Sequence, residues 1–385
     1  MFIKRTENNV FTNWWLAVDK NILITVAFLI GVGILMLFSA SPYVARRVGF
    51  NDFAYIKKFA IYFWIGIFTL LTTSLLSTKR IRQCAILSFI PCFIALISTL
   101  FFAEIKGGKR WVNLGGFALQ PSEFLKPIFA VVIAMLLVRI KDLHLKNEKT
   151  KNPITFIENW WKNEKERNYT FLLLGLFILI VLILLSQPDA GMTATFGIIF
   201  GTELFVAGLA WWCVWVLIGM AVWGFILAYN YLPHFTNRVN MFLTGSNEQL
   251  DLGLNTIRKA GFLGNHTNNL KTKVPDVHTD FIFSAMVEEF GAILAAFVII
   301  AFFTLALHVF LKLKDKNNNF VIFACTGIIS YLTFQVIVNI SSTLGISPTK
   351  GMTLPFISYG GSSFISSCLA IGIILSLLQD QNLRR

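Results

Sequence analysis

The chain has 385 residues, of which 56% are hydrophobic and only 14% are charged, and its mean hydropathy is +0.68. Because about a quarter of the residues in a typical soluble domain are charged, this composition excludes an ordinary soluble protein. The formal net charge is +13, and such an excess of basic residues favours an anionic partner at an exposed surface.

The apolar residues are gathered into long runs, and a helix needs roughly 20 mostly apolar residues to cross ~30 Å of hydrocarbon. We therefore predict an all-α polytopic membrane protein with about ten transmembrane helices in a single membrane domain, 1–385. We expect the first run to be a true span rather than a cleaved signal peptide. The predicted spans are 21–40, 55–76, 84–103, 121–139, 170–186, 190–209, 211–232, 281–310, 320–341 and 355–378.

The distribution of Lys and Arg between the loops predicts the orientation. The larger share of these residues falls in segments that are cytoplasmic if both termini are cytoplasmic, among them the loop 140–169. The positive-inside rule therefore favours N-in and C-in, with the long loop 233–280 extracytoplasmic. The outer face is also basic, which suggests lipid phosphate or pyrophosphate and not nucleic acid as a partner. Glu203 is expected to extend its side chain to the inner surface.

Five polar clusters lie at the outer ends of the predicted spans, where polar groups are candidate functional residues. In the first, Arg110 and Trp111 precede Glu123 and Lys126, which share one helix face. A simple Glu–Lys ion pair explains these two residues equally well. In the second cluster, Asp189 is most simply interpreted as a helix cap.

The cluster around Asp280 lies at the mouth of the eighth span. If the helix begins there, Asp280, Ser284 and Glu288 stack on one face. A carboxylate sheltered at a membrane mouth can have its pKa moved into the range of a general base. Helix capping by Thr279 or Asp280 is the alternative interpretation. His278 has no second metal ligand at ligand spacing, so we expect it at most to support the site.

Two further clusters supply basic and small residues. The loop 233–280 contributes Arg238 and Lys259, and Lys350 lies in the last outer loop. Glycines in the run 354–363 permit a broken helix whose free N–H groups face an anion, although tight helix packing explains them too. The supporting candidates of this last cluster are Asn339, Ser358 and Gly360.

Taken together and in this order, the clusters resemble the SEDS family of bacterial membrane proteins (shape, elongation, division and sporulation), over about 21–378. Ser39-Ala-Ser41, Pro275-Asp-Val-His278 and Pro348-Thr-Lys-Gly351 are more similar to the division branch than to the elongation branch. The segments that carry the family resemblance are Lys109-Arg-Trp111 with Gln120-Pro-Ser-Glu123, Gln187-Pro-Asp-Ala-Gly191, His278-Thr-Asp-Phe-Ile-Phe283 with Glu288-Glu-Phe-Gly291, and Leu354-Pro-Phe-Ile-Ser-Tyr-Gly-Gly-Ser-Ser363.

The resemblance implies a peptidoglycan glycosyltransferase of the bacterial inner membrane that polymerises lipid II into glycan strands during septal wall synthesis. It also implies a class B penicillin-binding protein and other division proteins as partners. The same reaction in cell elongation and a lipid II flippase are the alternatives. The polar groups crowd the outer ends of the spans, whereas a transporter should place them near the midplane. A scaffold without activity would tolerate Asp280→Asn.

On this basis Asp280 is expected to be the general base for an acceptor sugar hydroxyl, with inversion and departure of undecaprenyl pyrophosphate. Trp111 would position a sugar, and Glu123 would orient Lys126. The sequence identifies no cofactor; a divalent cation near the pyrophosphate fits the chemistry, but the sequence offers no ligand set for one. The basic residues expected to hold the pyrophosphate or the nascent glycan are Arg110, Lys126, Arg238, Lys259 and Lys350.

Overall fold

The fold is known from a computed structural model and is almost entirely helical. The residues that the structure describes are 10–102, 108–114, 117–147, 163–208, 211–231, 233–245, 248–265, 274, 277–348 and 351–379. The helices are α1 Val10–Ala17, α2 Lys20–Arg47, α3 Ala54–Ser74, α4 Thr78–Ser98, α5 Pro121–Asn147, α6 Glu164–Ser186, α7 Ala190–Ala207, α8 Trp211–Tyr231, α9 Pro233–Thr244, α10 Glu248–Ala260, α11 Ile282–Lys314, α12 Asn319–Thr343 and α13 Gly361–Leu378.

A helix occupies each apolar run predicted to span the membrane, so the prediction of an all-α polytopic protein is confirmed. In the part of the chain that the structure describes, eight helices are long and apolar enough to cross a membrane. Helices α5 and α8 cover the other two predicted runs, and the count of ten spans stays a prediction. The strands β1 Val112–Leu114 and β2 Phe117–Leu119 add a small antiparallel hairpin in which Asn113 pairs with Ala118.

The chain divides into two compact units. The first comprises Met1–Ile81, Asn237–Asp315 and Leu332–Arg385. In it α13 packs along α3, and α11 packs against both α2 and α10. Helix α3 lies so close to α13 that a Cβ at Gly66 would lie 2.5 Å from the Phe364 ring. This tight helix pair supports the segment 351–360 that precedes α13.

The second unit comprises Arg82–Thr236 and Lys316–Tyr331. Its centre is α5, which packs against α6 and α7, with the Phe129 and Phe196 rings 5.1 Å apart. Gln187 ties the end of α6 to α4, because its side-chain amide donates to Leu96 O at 3.1 Å and to Thr99 Oγ1 at 2.7 Å. The loop between α6 and α7 is thereby fixed.

The expectation that Glu203 extends to the inner surface is wrong. Its side chain is fully buried, at 0% exposure, and among the residues described neither carboxylate oxygen has a hydrogen-bond partner. Gly327 on α12 has no side chain, and an added Cβ there would collide with the Glu203 carboxylate. The carboxyl group therefore occupies the space that a glycine leaves open.

Helix α11 is broken at Gly291, whose φ of 77° and ψ of −177° are not helical. The segment 261–265 directly after α10, which we call the tip, satisfies the backbone groups that the break exposes. Asn265 N donates to Glu288 O at 3.0 Å, and Ala292 N donates to Gly261 O at 3.1 Å. Because irregular backbone at membrane depth must be satisfied within the protein, the tip explains how α11 tolerates the break.

The last span begins later than predicted. Within the predicted span 355–378 the helix α13 starts only at Gly361, inside the run 354–363 whose glycines permit a broken helix. Phe356 has a φ of 65°, in the left-handed region, and Pro355 disfavours a helical residue before it. The residues 351–360 therefore form an irregular segment against the Asp280 turn.

Candidate functional site

Asp280 ends the turn 277–280. Helix α11 begins at Ile282 with Phe281 in the N-cap position, so neither Thr279 nor Asp280 occupies the cap. The proposed stacking of Asp280 with Ser284 and Glu288 requires an earlier helix start and is not formed as one helix face. Ser284 and Glu288 are both fully buried within α11, whereas Asp280 is half-buried.

The side-chain amide of Asn339 joins the Asp280 turn to the irregular segment. Asn339 on α12 is 1% exposed, and its Nδ2 donates to Asp280 O at 3.3 Å and to Met352 O at 2.6 Å. Both acceptors are main-chain carbonyls, so a carboxylate at 339 could not replace these donors. Asn339 therefore fixes the backbone of Asp280 without engaging its carboxylate through this amide.

The same turn is held from the other side. Ser358 Oγ donates to Thr279 O at 2.6 Å and accepts from Leu354 N at 2.8 Å. Tyr359 N donates to His278 O at 2.8 Å. Three successive residues of the turn are thus joined through their carbonyls to α12 or to the segment 351–360, which leaves the turn little freedom to move alone.

Gly351 brings the backbone of the irregular segment close to the carboxylate itself. Its φ is +63°, and a Cβ at this position would lie 3.2 Å from Asp280 Oδ2. Glycine satisfies both the left-handed conformation and the short distance. The preceding residue, Lys350, is outside the described residues, as is Thr349.

Aromatic rings border the turn. The rings of Tyr55, His278 and Tyr359 form a triangle with centroid separations of 5.0 to 5.2 Å. His278 is buried, whereas both tyrosines are half-buried. Nothing in the sequence pattern singled out Tyr55, because its position beside the turn depends on the packing of α3.

In the second unit, Arg110 is attached to the loop between α6 and α7. Its guanidinium donates to the carbonyls of Gln187, at 3.3 Å, and Pro188, and lies 3.4 Å from Asp189 Oδ2. Asp189 also caps α7 by accepting from Met192 N at 3.2 Å, so the capping prediction is confirmed. The Asp189 carboxylate therefore has two functions, a cap and an arginine partner.

Glu123 and Lys126 form the ion pair that the i, i+3 spacing predicts. Lys126 Nζ lies 2.8 Å from Glu123 Oε2 and 5.2 Å from the centroid of the Tyr331 ring. Lys126 is 1% exposed and Glu123 is 4% exposed. Direct contact of Lys126 with a phosphate would require this buried pair to open.

For the other predicted site residues the structure gives their exposure or their position in a helix. Trp111 is half-buried, and Lys259 is exposed near the end of α10. Arg238 lies on α9, but its side chain is outside what the structure describes. Gly360 is the N-cap residue of α13. Within the described residues there is no group of three His, Cys, Asp or Glu side chains suited to a metal ion.

Comparison with known proteins gives a consistent result. The family model described as "Cell cycle protein", which groups FtsW, RodA and SpoVE, matches residues 20–383. The chain is 32% identical over 384 residues to the probable peptidoglycan glycosyltransferase FtsW of Caulobacter vibrioides, covering 98% of this chain and 93% of the relative. It is also 32% identical over 377 residues to that of Coxiella burnetii, covering 94% and 96%.

Solved structures share the fold. A chain of a peptidoglycan synthase complex that coordinates polymerization and crosslinking superposes with a TM-score of 0.74 at 25% identity, covering 94% of this chain and 98% of that one. The rod-shape-determining protein RodA of Thermus thermophilus superposes with a TM-score of 0.63 at 23% identity, covering 94% and 97%. The resemblance to the SEDS proteins is thus confirmed, and the chain belongs to the cell cycle protein family that includes FtsW and RodA.

Proposed function

We propose that this chain is a peptidoglycan glycosyltransferase that polymerises lipid II during septal wall synthesis. The observation that carries the proposal is the Asp280 turn. A half-buried carboxylate lies on a backbone that Asn339, Ser358 and Tyr359 hold in place. Relatives that match almost the whole chain are named peptidoglycan glycosyltransferases, and this supports the same activity here.

The proposed reaction needs one base, and it needs no ATP because the donor carries its own pyrophosphate leaving group. Asp280 accepts the proton of the acceptor sugar 4-hydroxyl as its oxygen attacks the anomeric carbon of the donor. The bond to undecaprenyl pyrophosphate breaks with inversion, and the pyrophosphate leaves as an anion. A pyrophosphate is already a good leaving group, so a protein acid is not obligatory. Preorganisation of the base is what the hydrogen bonds to the Asp280 turn would supply.

Cations are expected to stabilise the charge on the pyrophosphate. Arg110 and Lys259 are the described candidates with accessible side chains: Arg110 is 21% exposed, and Lys259 is exposed near the end of α10. Lys126 is buried against Glu123, so it would act on the pyrophosphate only if this ion pair opens. The binding roles of Trp111, Arg238, Lys259 and Lys350 stay predictions, and a divalent cation beside the pyrophosphate is part of the same proposal.

The cellular role proposed here is cell division in the inner membrane, with the catalytic face outside. Several relatives that the chain matches over nearly its full length are named FtsW, which favours division over elongation. A class B penicillin-binding protein is the proposed transpeptidase partner, and the fold shared with a chain of a polymerizing and crosslinking complex supports it.

The test is polymerisation of purified lipid II by the full chain together with its partner. The expected product is a ladder of glycan strands that lysozyme digests. A parallel assay follows fluorescent lipid II across the bilayer of vesicles that contain the chain alone. Absence of glycan combined with transfer of lipid II between leaflets would replace the polymerase with a flippase.

A further inference from the structure

A cluster of basic side chains in the second unit plays no part in the proposed reaction. It consists of Arg82 near the start of α4 and of Arg139 and Lys141 in the last third of α5. Arg82 Cζ lies 4.0 Å from the centroid of the Phe320 ring at the start of α12. Lys141 Nζ lies 3.5 Å from Asn319 Oδ1. Helices α4 and α5 therefore bring three basic residues to the start of α12, and we call these residues the Arg82 cluster.

The described residues balance the charges of the Arg82 cluster only in part. Arg139 is near enough to repel Arg82, and Asp142 provides the opposing attraction. Within the described part of the chain neither guanidinium forms a salt bridge, and the buried Nε of Arg82 has no hydrogen-bond acceptor. A buried guanidinium N–H without an acceptor, close to a second positive charge, is unfavourable unless an anion lies beside it.

The geometry favours a phosphate group as that anion. A guanidinium presents a planar fork of N–H donors that matches phosphate oxygens. The Phe320 ring holds one face of the Arg82 guanidinium by a cation–π contact, which orients the edge of the guanidinium. Helix α12 begins at Asn319, so the positive end of its dipole lies at the cluster and adds to the attraction.

We propose that the Arg82 cluster binds the phosphate of an anionic phospholipid. Helices α4 and α12 are both long and apolar enough to cross a membrane, and the cluster lies at the ends of these helices, where lipid headgroups are found. Under the predicted orientation this is the cytoplasmic end, where basic pockets between helices bind anionic headgroups. This site is independent of the polymerase chemistry, since none of its residues belongs to the candidate functional site.

The experiment measures retention of phosphatidylglycerol by the purified full chain. Native mass spectrometry counts bound lipid as phosphatidylglycerol is titrated into detergent micelles, with phosphatidylcholine as the neutral comparison. The variant Arg82→Gln with Arg139→Gln removes two charges. The matched control, Lys79→Gln with Arg80→Gln, removes the same charge from exposed positions on the same helix.

We expect the Arg82/Arg139 variant to bind phosphatidylglycerol about thirtyfold more weakly than wild type, since each basic residue beside an anionic headgroup contributes roughly fivefold. The control is expected to lose clearly less, because Lys79 and Arg80 lie outside the cluster; an equal loss in the control and the variant would refute a specific site. Equal retention by the variant and wild type would refute the site. Full displacement of the lipid by millimolar inorganic phosphate would refute the lipid as ligand. If the double variant fails to fold, Arg139→Gln alone at its exposed position must weaken lipid retention, or the proposal fails.

Discussion

The buried ion pair between Glu123 and Lys126 is predicted to contribute to the free energy of unfolding through its charges. Replacing Glu123 by Gln leaves the ammonium group of Lys126 almost without solvent, at 1% exposure, and removes a carboxylate 2.8 Å away. Breaking one side of a buried ion pair costs roughly 3–5 kcal/mol, because an uncompensated charge remains inside. The Tyr331 ring at 5.2 Å offsets part of that cost, so we expect the lower half of the range.

The double variant separates charge from packing. Glu123→Gln combined with Lys126→Met removes both charges and keeps similar volumes, and such replacements are often neutral or even stabilising. The free energy of unfolding is measured by titration with sodium dodecyl sulfate in mixed micelles, for wild type, both single variants and the double variant. A cycle in which the double variant loses the sum of the two single losses would refute a coupled pair.

An exposed pair serves as the control. Arg46 Nη2 lies 2.6 Å from Asp52 Oδ2, but the two side chains are 65% and 35% exposed. Ion pairs at the surface contribute little to stability. Arg46→Gln should therefore leave the unfolding free energy unchanged in the same titration, even though its distance is shorter than that of the buried pair.

Two further predictions concern backbone strain and pH. Gly291→Ala should destabilise the chain by roughly 1–3 kcal/mol, because φ near 77° with extended ψ is a conformation essentially restricted to glycine. Gly175→Ala is the control and should not destabilise the chain in the same titration, because an added Cβ there meets nothing within 4 Å. Burial tends to raise the pKa of the Asp19 carboxyl, but hydrogen bonds from His308 and the Ile22 amide bring it below its ordinary value of 3.8. A carboxyl group whose pKa is depressed by folding contributes stability above its unfolded pKa, and this stability is lost as the pH falls through the folded pKa. His308→Gln should therefore lower the free energy of unfolding at neutral pH, and the difference from wild type should shrink below pH 3.8. A difference that grows below that pH would contradict the predicted direction.

The helices were predictable because apolar runs of membrane length have few alternatives to helix. The Glu123–Lys126 pair and the Asp189 cap were predictable because both depend on residues a few positions apart. These local features follow from spacing alone, and the structure contains them.

Features that depend on distant partners were not predictable in the same way. The burial of Glu203 depends on Gly327, more than a hundred positions later in the chain. The break at Gly291 is stabilised by a tip near Gly261. The sequence pattern singled out Asn339 and Ser358 as polar residues in apolar surroundings, but not the carbonyls to which they donate, since those contacts form only when α12 and the segment 351–360 meet the turn.

The most direct measurement compares lipid II polymerisation by wild type, Asp280→Asn and Asp251→Asn, each purified with the same partner and matched for amount. Asp251 is exposed on α10 in the same unit and controls for loss of a carboxylate. If Asp280 is the general base, its asparagine variant loses at least about a hundredfold in rate, the usual contribution of a general base, while Asp251→Asn keeps the wild-type rate. Full polymerisation by Asp280→Asn would contradict the assignment of Asp280 as the base.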